Sequence, residues 1–197
     1  MTRNVAILLF EQVELLDFTG PFDVFAVAGN NQDAPFQVYT IAEEARPIIT
    51  RYGVSVNPAF TLENCPTPDI LVVPGGNGAQ AVLENPRLLA WIREQHERVE
   101  LLLSVCTGAL VLAKAGLLKG LSATTHHSLI EKLRELAPET TIFPEKRYVD
   151  NGKIVLSAGV SAGIDMALYV VARLLGEEKA RETARRMQYD HWQGPIF

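Results

Sequence analysis

Residues 100–116, ELLLSVCTGALVLAKAG, decide the fold of this chain. Residues 100–105 (ELLLSV) are an apolar run of strand length, and 107–116 carry the apolar spacing of a helix. Only Cys106 stands between them. So uniform a run reads as a strand buried on both faces, as in parallel sheets. A side chain at the junction leaves the end of the sheet and meets the positive end of a helix dipole, which favours thiolate over thiol. With a small residue at 108, the stretch has the layout of a nucleophile elbow, Cys replacing Ser. Such a turn strains the backbone at the nucleophile.

Outward from this corner, strand-like runs at 4–10 (NVAILLF), 36–42 (FQVYTIA) and 69–74 (DILVVP) alternate with helical patterns. The helices are expected at 20–29, 86–98, 107–116, 127–137, 161–175 and 177–188. Helix 86–98 has a start signal, Asn85 as cap and Pro86 at the first helical position. Two pieces read as antiparallel: a small hairpin arm at 46–57 and a hairpin at 147–158. The second is expected to turn at Asn151-Gly152 as a type I′ pair. The alternation predicts an α/β fold, a three-layer sandwich whose mostly parallel sheet has helices on both faces.

At 197 residues, with 48% apolar and 21% charged, the chain is expected to form a single domain over 1–197. A net charge of −5 and the lack of any dense Lys/Arg run argue against nucleic acid as a partner. The longest apolar stretches are strand-length or interrupted, so no membrane span is expected. The opening MTRNVAILLFEQVE resembles a signal peptide, but VAILLF is short and no small-residue cleavage site follows. The expected compartment is therefore the reducing cytoplasm, with Cys65 and Cys106 as free thiols.

In sheets of this kind, ligands bind beyond the carboxyl ends of the strands. Four segments are expected to meet there. Strand 4–10 leads to Glu11 and Asp17, and strand 69–74 to Gly75-Gly76-Asn77-Gly78. Strand 100–105 leads to Cys106-Thr107-Gly108, and a short extended piece at 122–125 to His126-His127. Most free cysteines are small buried apolar residues. Position sets Cys106 apart from that class, whereas Cys65, in ENCPTPD, has nothing near it to activate it. The glycine run lacks GxGxxG spacing and a following Lys-Ser/Thr pair, so it is no nucleotide cradle. It is either a plain turn or a close backbone approach in which the amides of Gly76 and Thr107 form an anion hole beside the sulfur.

Asp17 is enclosed by Leu15, Leu16 and Phe18, which should raise its pKa and let it pass protons near neutrality. It also precedes Thr19-Gly20-Pro21, a helix start, where Thr19 is the better placed cap. Glu11, Glu14 and Asp23 are weaker candidates. Adjacent His126 and His127 point different ways on regular backbone, so one of them is available to Cys106. Neither these nor His96 and His191 have metal-ligand spacing, and no metal is expected. Ser128 and Ser161 read as helix-start residues. Asp165, inside an apolar helix, must be paired or lie near the helix start.

The segments LLDFTGPFDVF (15–25), DILVVPGG (69–76), LLSVCTGALVLAKAGLL (102–118), ATTHH (123–127) and RYVDNGKIVLSAGVSAGIDMAL (147–168) together resemble the ThiJ/PfpI superfamily, the class I glutamine amidotransferase-like fold. Two neighbouring groups are most alike: hydratases of isonitriles, and the ligand-sensing domains of AraC-type regulators. A regulator would continue into helix-turn-helix units, and nothing here reads as one. The resemblance implies a flavodoxin-like sandwich, usually a homodimer, with Cys106 as nucleophile. It implies a small-molecule substrate and no cofactor. In the hydratase-like group the acid beside the sulfur is an Asp, matched by Asp17. Gly76, Thr107 and His126 match positions around the nucleophile, although His127 stands where a Trp is common. The aromatic tail 188–197 resembles that of the hydratase-like members and is expected to cover the site or pack at the dimer interface. The function implied is cysteine-dependent hydration of an isonitrile. The alternatives are glyoxalase, deglycase or amidase chemistry at the same sulfur, or a redox- or ligand-sensing domain.

Overall fold

The structure, a computed structural model, describes residues 2–29, 34–190, 192 and 194. In chain order the strands are β1 (Arg3–Leu8), β2 (Phe36–Ala42), β3 (Ile48–Ile49), β4 (Ser55–Val56), β5 (Phe60–Thr61) and β6 (Ile70–Val73). They continue with β7 (Leu101–Val105), β8 (Ser122–Ala123), β9 (Thr141–Ile142), β10 (Tyr148–Asp150) and β11 (Ile154–Ser157). The helices are α1 (Leu15–Ala28), α2 (Ala79–Leu83), α3 (Pro86–Arg98), α4 (Gly108–Lys114), α5 (Ile130–Leu136), α6 (Ala162–Leu175) and α7 (Glu177–Arg186). A 3-10 turn, His127–Leu129, precedes α5.

Seven strands form one sheet in the order β10-β11-β7-β6-β1-β2-β5. All neighbours are parallel except the edge strand β10, which runs antiparallel to β11. Every residue of β6 and β7 is buried. This is why ILVV and LLLSV are continuously apolar rather than alternating: both of their faces meet helices. Helices α1, α6 and α7 pack together, and α2, α4 and α5 form a second group. The expected mostly parallel sheet with helices on both sides is what forms. Among the described residues, no helix is long and apolar enough to cross a membrane.

Three details differ from the sequence expectation. First, α1 starts at Leu15, not residue 20, and Asp17 lies in its first turn. Thr19 is no cap: its hydroxyl donates back to the Leu15 carbonyl at 2.9 Å. Thr19-Gly20-Pro21 imitates a helix start, but Gly20 serves close packing, since a Cβ there would lie 3.0 Å from Ile164 of α6. Second, the hairpin between β10 and β11 is not type I′. Gly152 has a φ of +83°, but Asn151 does not share that left-handed conformation. The Asn151 side chain instead clamps Ser122, accepting from its amide and donating to its carbonyl, each at 2.8 Å. Third, residues 122–125 do not extend the main sheet, because β8 pairs with β9 in a sheet of two. The Asn85 cap is as expected, accepting the Leu88 amide at 3.1 Å.

The elbow demands its glycine. A Cβ on Gly108 would overlap the Val73 carbonyl oxygen at the end of β6, a backbone atom with no rotamer to yield. We expect Gly108→Ala to cost about 2 kcal/mol, the usual scale of overpacking. That corresponds to a fall in Tm of roughly 4–8 °C for a domain this size. Thermal unfolding of the variant with less than a 1 °C change would remove this contact as a constraint.

Candidate active site

The carboxyl ends of β1, β6 and β7 lie side by side, and the segments leaving them interlock. Val13 forms an isolated bridge with Gly76, and the Glu14 amide donates to the Gly75 carbonyl at 2.9 Å. The Gly75 amide donates to Asp17 Oδ2 at 2.9 Å. The Gly76 amide donates to Thr107 Oγ1 at 2.8 Å. Thr125 Oγ1 donates to the Cys106 carbonyl at 2.7 Å, which ties the segment after β8 to the elbow. All four segments expected at this rim are there.

Cys106 sits at the corner with a φ of +56°, in the left-handed region that costs an L-residue energy. Its amide donates to the Ser157 and Ala158 carbonyls. Val160, on the next turn over, is held at a φ of +50°, a rarer conformation still for a β-branched residue. The Val160 amide lies near enough to the Cys106 thiol and the Asp17 carboxyl to draw the pKa of each down.

Asp17 is fully buried. Burial pushes its carboxyl up to about 7, opposed by the Gly75 amide and assisted by the charge of Glu14. Asp17 Oδ1 has no hydrogen-bond partner of ordinary geometry, yet the Cys106 thiol lies close enough to the carboxyl for each to shift the other. The sulfur is shifted too. Burial first, and then the Asp17 charge, push the thiol up to about 12. The Thr107 and Val160 amides pull the other way and lose. The expectation that the helix start would favour the thiolate is corrected here, because α4 spans only seven residues and desolvation outweighs its amides. The pair titrates as a unit, and its groups stay protonated well above their usual ranges.

The Gly76 amide is also not free for an anion hole, because the Thr107 hydroxyl occupies it and in turn donates to the Gly76 carbonyl at 3.3 Å. The amides that do face the sulfur belong to Thr107 and Val160. The sequence offered no sign of Val160, since no side-chain chemistry marks a backbone donor.

A pocket of about 360 Å³ opens above Cys106. Gly76, Thr107 and His126 all line it, with Glu14, Arg51, Lys132 and Val160. Between the two histidines, His126 faces the pocket, and its ring packs so closely over Gly159 that no Cβ fits there. Its Nδ1 lies 2.8 Å from Ser128 Oγ, and burial followed by the nearby His127 and Arg51 charges lower its pKa, so it is neutral. Glu14, weak on sequence grounds, is buried at the pocket wall and pairs with Arg51 at 3.2 Å. Glu11 turns away to pair with Arg46. Asp165 is paired with Arg147 and accepts from the Tyr189 hydroxyl at 3.0 Å, so its role is structural. Of the tail 188–197, Trp192 joins the core, while His191, Gln193 and 195–197 lie outside the described residues. Among the described residues, no three His, Cys, Asp or Glu side chains form a metal-binding group. Both cysteines are free.

Comparison with known proteins gives a consistent placement. The chain is 36% identical to isonitrile hydratase of Pseudomonas putida over 190 residues, covering 96% of this chain and 79% of that one. It is 29% identical over 187 residues to the HTH-type transcriptional regulator CdhR of Pseudomonas aeruginosa, but spans only 55% of that protein's length. The crystal structure of a ThiJ/PfpI family protein from Pseudomonas syringae superposes with a TM-score of 0.87 at 30% identity, covering all of this chain and 78% of that one. The pattern of the DJ-1/PfpI family matches residues 3–173, and the chain belongs to that family.

Proposed function

We propose that the chain is an isonitrile hydratase, which adds water to an isonitrile to give an N-substituted formamide through a thioimidate on Cys106. The observation that carries this reading is a fully buried carboxyl, Asp17, held by the Gly75 amide against the elbow that presents Cys106 to the pocket, with burial raising its pKa to about 7. Similarity to the Pseudomonas putida hydratase supports it.

Above pH 7 the pair holds one proton, resident on sulfur. Its transfer to Asp17 gives the minor form with thiolate and carboxylic acid. The sulfur attacks the terminal carbon of the isonitrile, and the same carbon takes the Asp17 proton, leaving an S-bound N=CH unit. Asp17, now a carboxylate, takes a proton from water as the water adds to that carbon and passes this proton on to nitrogen; it then takes the hydroxyl proton of the adduct. Collapse breaks the carbon–sulfur bond, releases the formamide and returns the shared proton to the pair. This is covalent catalysis with one acid–base group. The Val160 and Thr107 amides lower the cost of the transient thiolate. His126 shapes the pocket.

A redox sensor would present an exposed, low-pKa sulfur. Cys106 is buried and its thiol is pushed up, which counts against that alternative. The reading includes the cytoplasmic, homodimeric state expected from the sequence. The surface that supports a dimer is the arm of β3 and β4 with the start of α1, where Leu16, Ile49, Tyr52 and Val54 are exposed. Sedimentation equilibrium should show two chains, and Ile49→Glu with Val54→Glu should shift them toward one.

Cys106→Ala should abolish hydration of cyclohexyl isonitrile while keeping the wild-type circular dichroism spectrum. Wild-type rates in that variant would end the covalent scheme. Asp17→Asn should lower kcat/KM by about 10²–10⁴-fold, the usual worth of a positioned acid–base group. The pH profile follows from the direction of the shifts. Below about 7 the pair carries two protons and no thiolate forms, so kcat/KM should fall about tenfold per pH unit on the acid side and level off above 7. In Asp17→Asn that acid limb should vanish; its persistence would assign it to another group.

A further inference from the structure

We propose that the substrate carries a carboxylate on the substituent remote from its reacting carbon, and that Arg51 and Lys132 at the pocket mouth receive it. The proposal rests on the hydratase reading for the reacting end only. The chain as a whole is acidic, at −5, so a cationic mouth is no reflection of its general surface. Among the described residues, the formally charged side chains lining the pocket are Glu14, Arg51 and Lys132. His126 is neutral. The lining therefore sums to one positive charge above a pair that itself holds one negative charge.

Both cations line the pocket, and the Arg51 guanidinium also lies over the Tyr52 ring, 5.2 Å from its centroid. Arg51 stands in the turn between β3 and β4, and Lys132 on α5, so they come from separate elements. Glu14 is largely buried, and Arg51 gives it a single Nη1 contact. Among the described residues no other hydrogen bond uses the guanidinium, whose fork can take a carboxylate through two N–H groups. Lys132 has one surface contact, to Glu135 at 3.0 Å. Such exposed pairs are weak and exchange readily. Between them the lining offers Asn77, Gln80 and Ser128 as neutral donors, and Leu83, Leu110 and Leu129 as apolar wall. An anionic tail at the mouth also keeps its charge away from Cys106, where a second negative charge would be costly.

Alkylation of Cys106 tests the charge preference apart from turnover. Two N-alkyl iodoacetamides, one with a carboxylate at the far end of its chain and one with a neutral carboxamide there, differ in the charge of the group that reaches the mouth. Their rate constants at the Cys106 peptide can be followed by mass spectrometry at low salt. The ratio of the carboxylate-tailed to the neutral reagent should be several-fold higher at Cys106 than at Cys65. It should drop about five-fold in Lys132→Gln and further in Lys132→Glu. It should also fall as salt is raised. In turnover, the ratio of kcat/KM for a carboxylate-bearing isonitrile over its neutral analogue should fall by a similar factor in Lys132→Gln. An unchanged alkylation ratio in both Lys132 variants would overturn the proposal. If neither isonitrile is hydrated, the hydratase reading falls, and the alkylation ratios alone decide the tail site.

Discussion

A thiol and a carboxyl group occupy one buried corner, and the corner tolerates no more than one negative charge. That constraint organises the rest of the site. Asp17 is fully buried, so it needs the Gly75 amide on one oxygen. Gly75 can deliver that amide only because it has no side chain: a Cβ there would overlap Thr107 and lie 2.8 Å from Asp17 Oδ2. Cys106 feels the charge of the same acid, and the amides of Thr107 and Val160 act against that charge; Val160 has a left-handed φ of +50°. The strain sits where charge must be managed, and the packed strands behind it hold it in place.

Much of this was legible in the residues. The continuous apolar runs at 70–73 and 101–105 announced doubly covered strands, and the Cys at the end of one announced the elbow. Asp17 was recognisable because a carboxylate amid Leu15, Leu16 and Phe18 is expensive unless it has a task. The contributions of backbone were not legible. Nothing in the letters tells that Val160 would turn its amide toward sulfur, or that the Gly76 amide would be consumed by Thr107. The start of α1 was misplaced for a related reason: Gly20 and Pro21 look like punctuation, but one fits against Ile164 and the other is accommodated within the helix. The balance at Cys106 was also invisible, since a short helix start and deep burial oppose each other and only three-dimensional packing sets their relative weight.

The pocket wall has a different origin from its floor. Cys106 and Gly76 hang from the main sheet, while His126 lies in the connection between the separately paired β8 and β9, and Arg51 belongs to the β3–β4 arm. The floor is therefore fixed by the most buried strands of the molecule, and the wall by small peripheral elements tethered through a few bonds such as Thr125 to the Cys106 carbonyl and Asn151 to Ser122. Chemistry and recognition are carried by parts of unequal rigidity.

The closed Gly76–Thr107 contact has one more consequence. Acyl-transfer sites need an amide waiting for an oxygen that becomes negative as the nucleophile adds. Here a side-chain hydroxyl already fills the place of one such donor, at 2.8 Å. Carbonyl substrates, whose first step places charge on oxygen, lose that stabilisation. A substrate with no oxygen at its reacting carbon loses nothing. On the proposed hydratase reading, the threonine withholds a donor that an acyl-transfer site would use, without any clash.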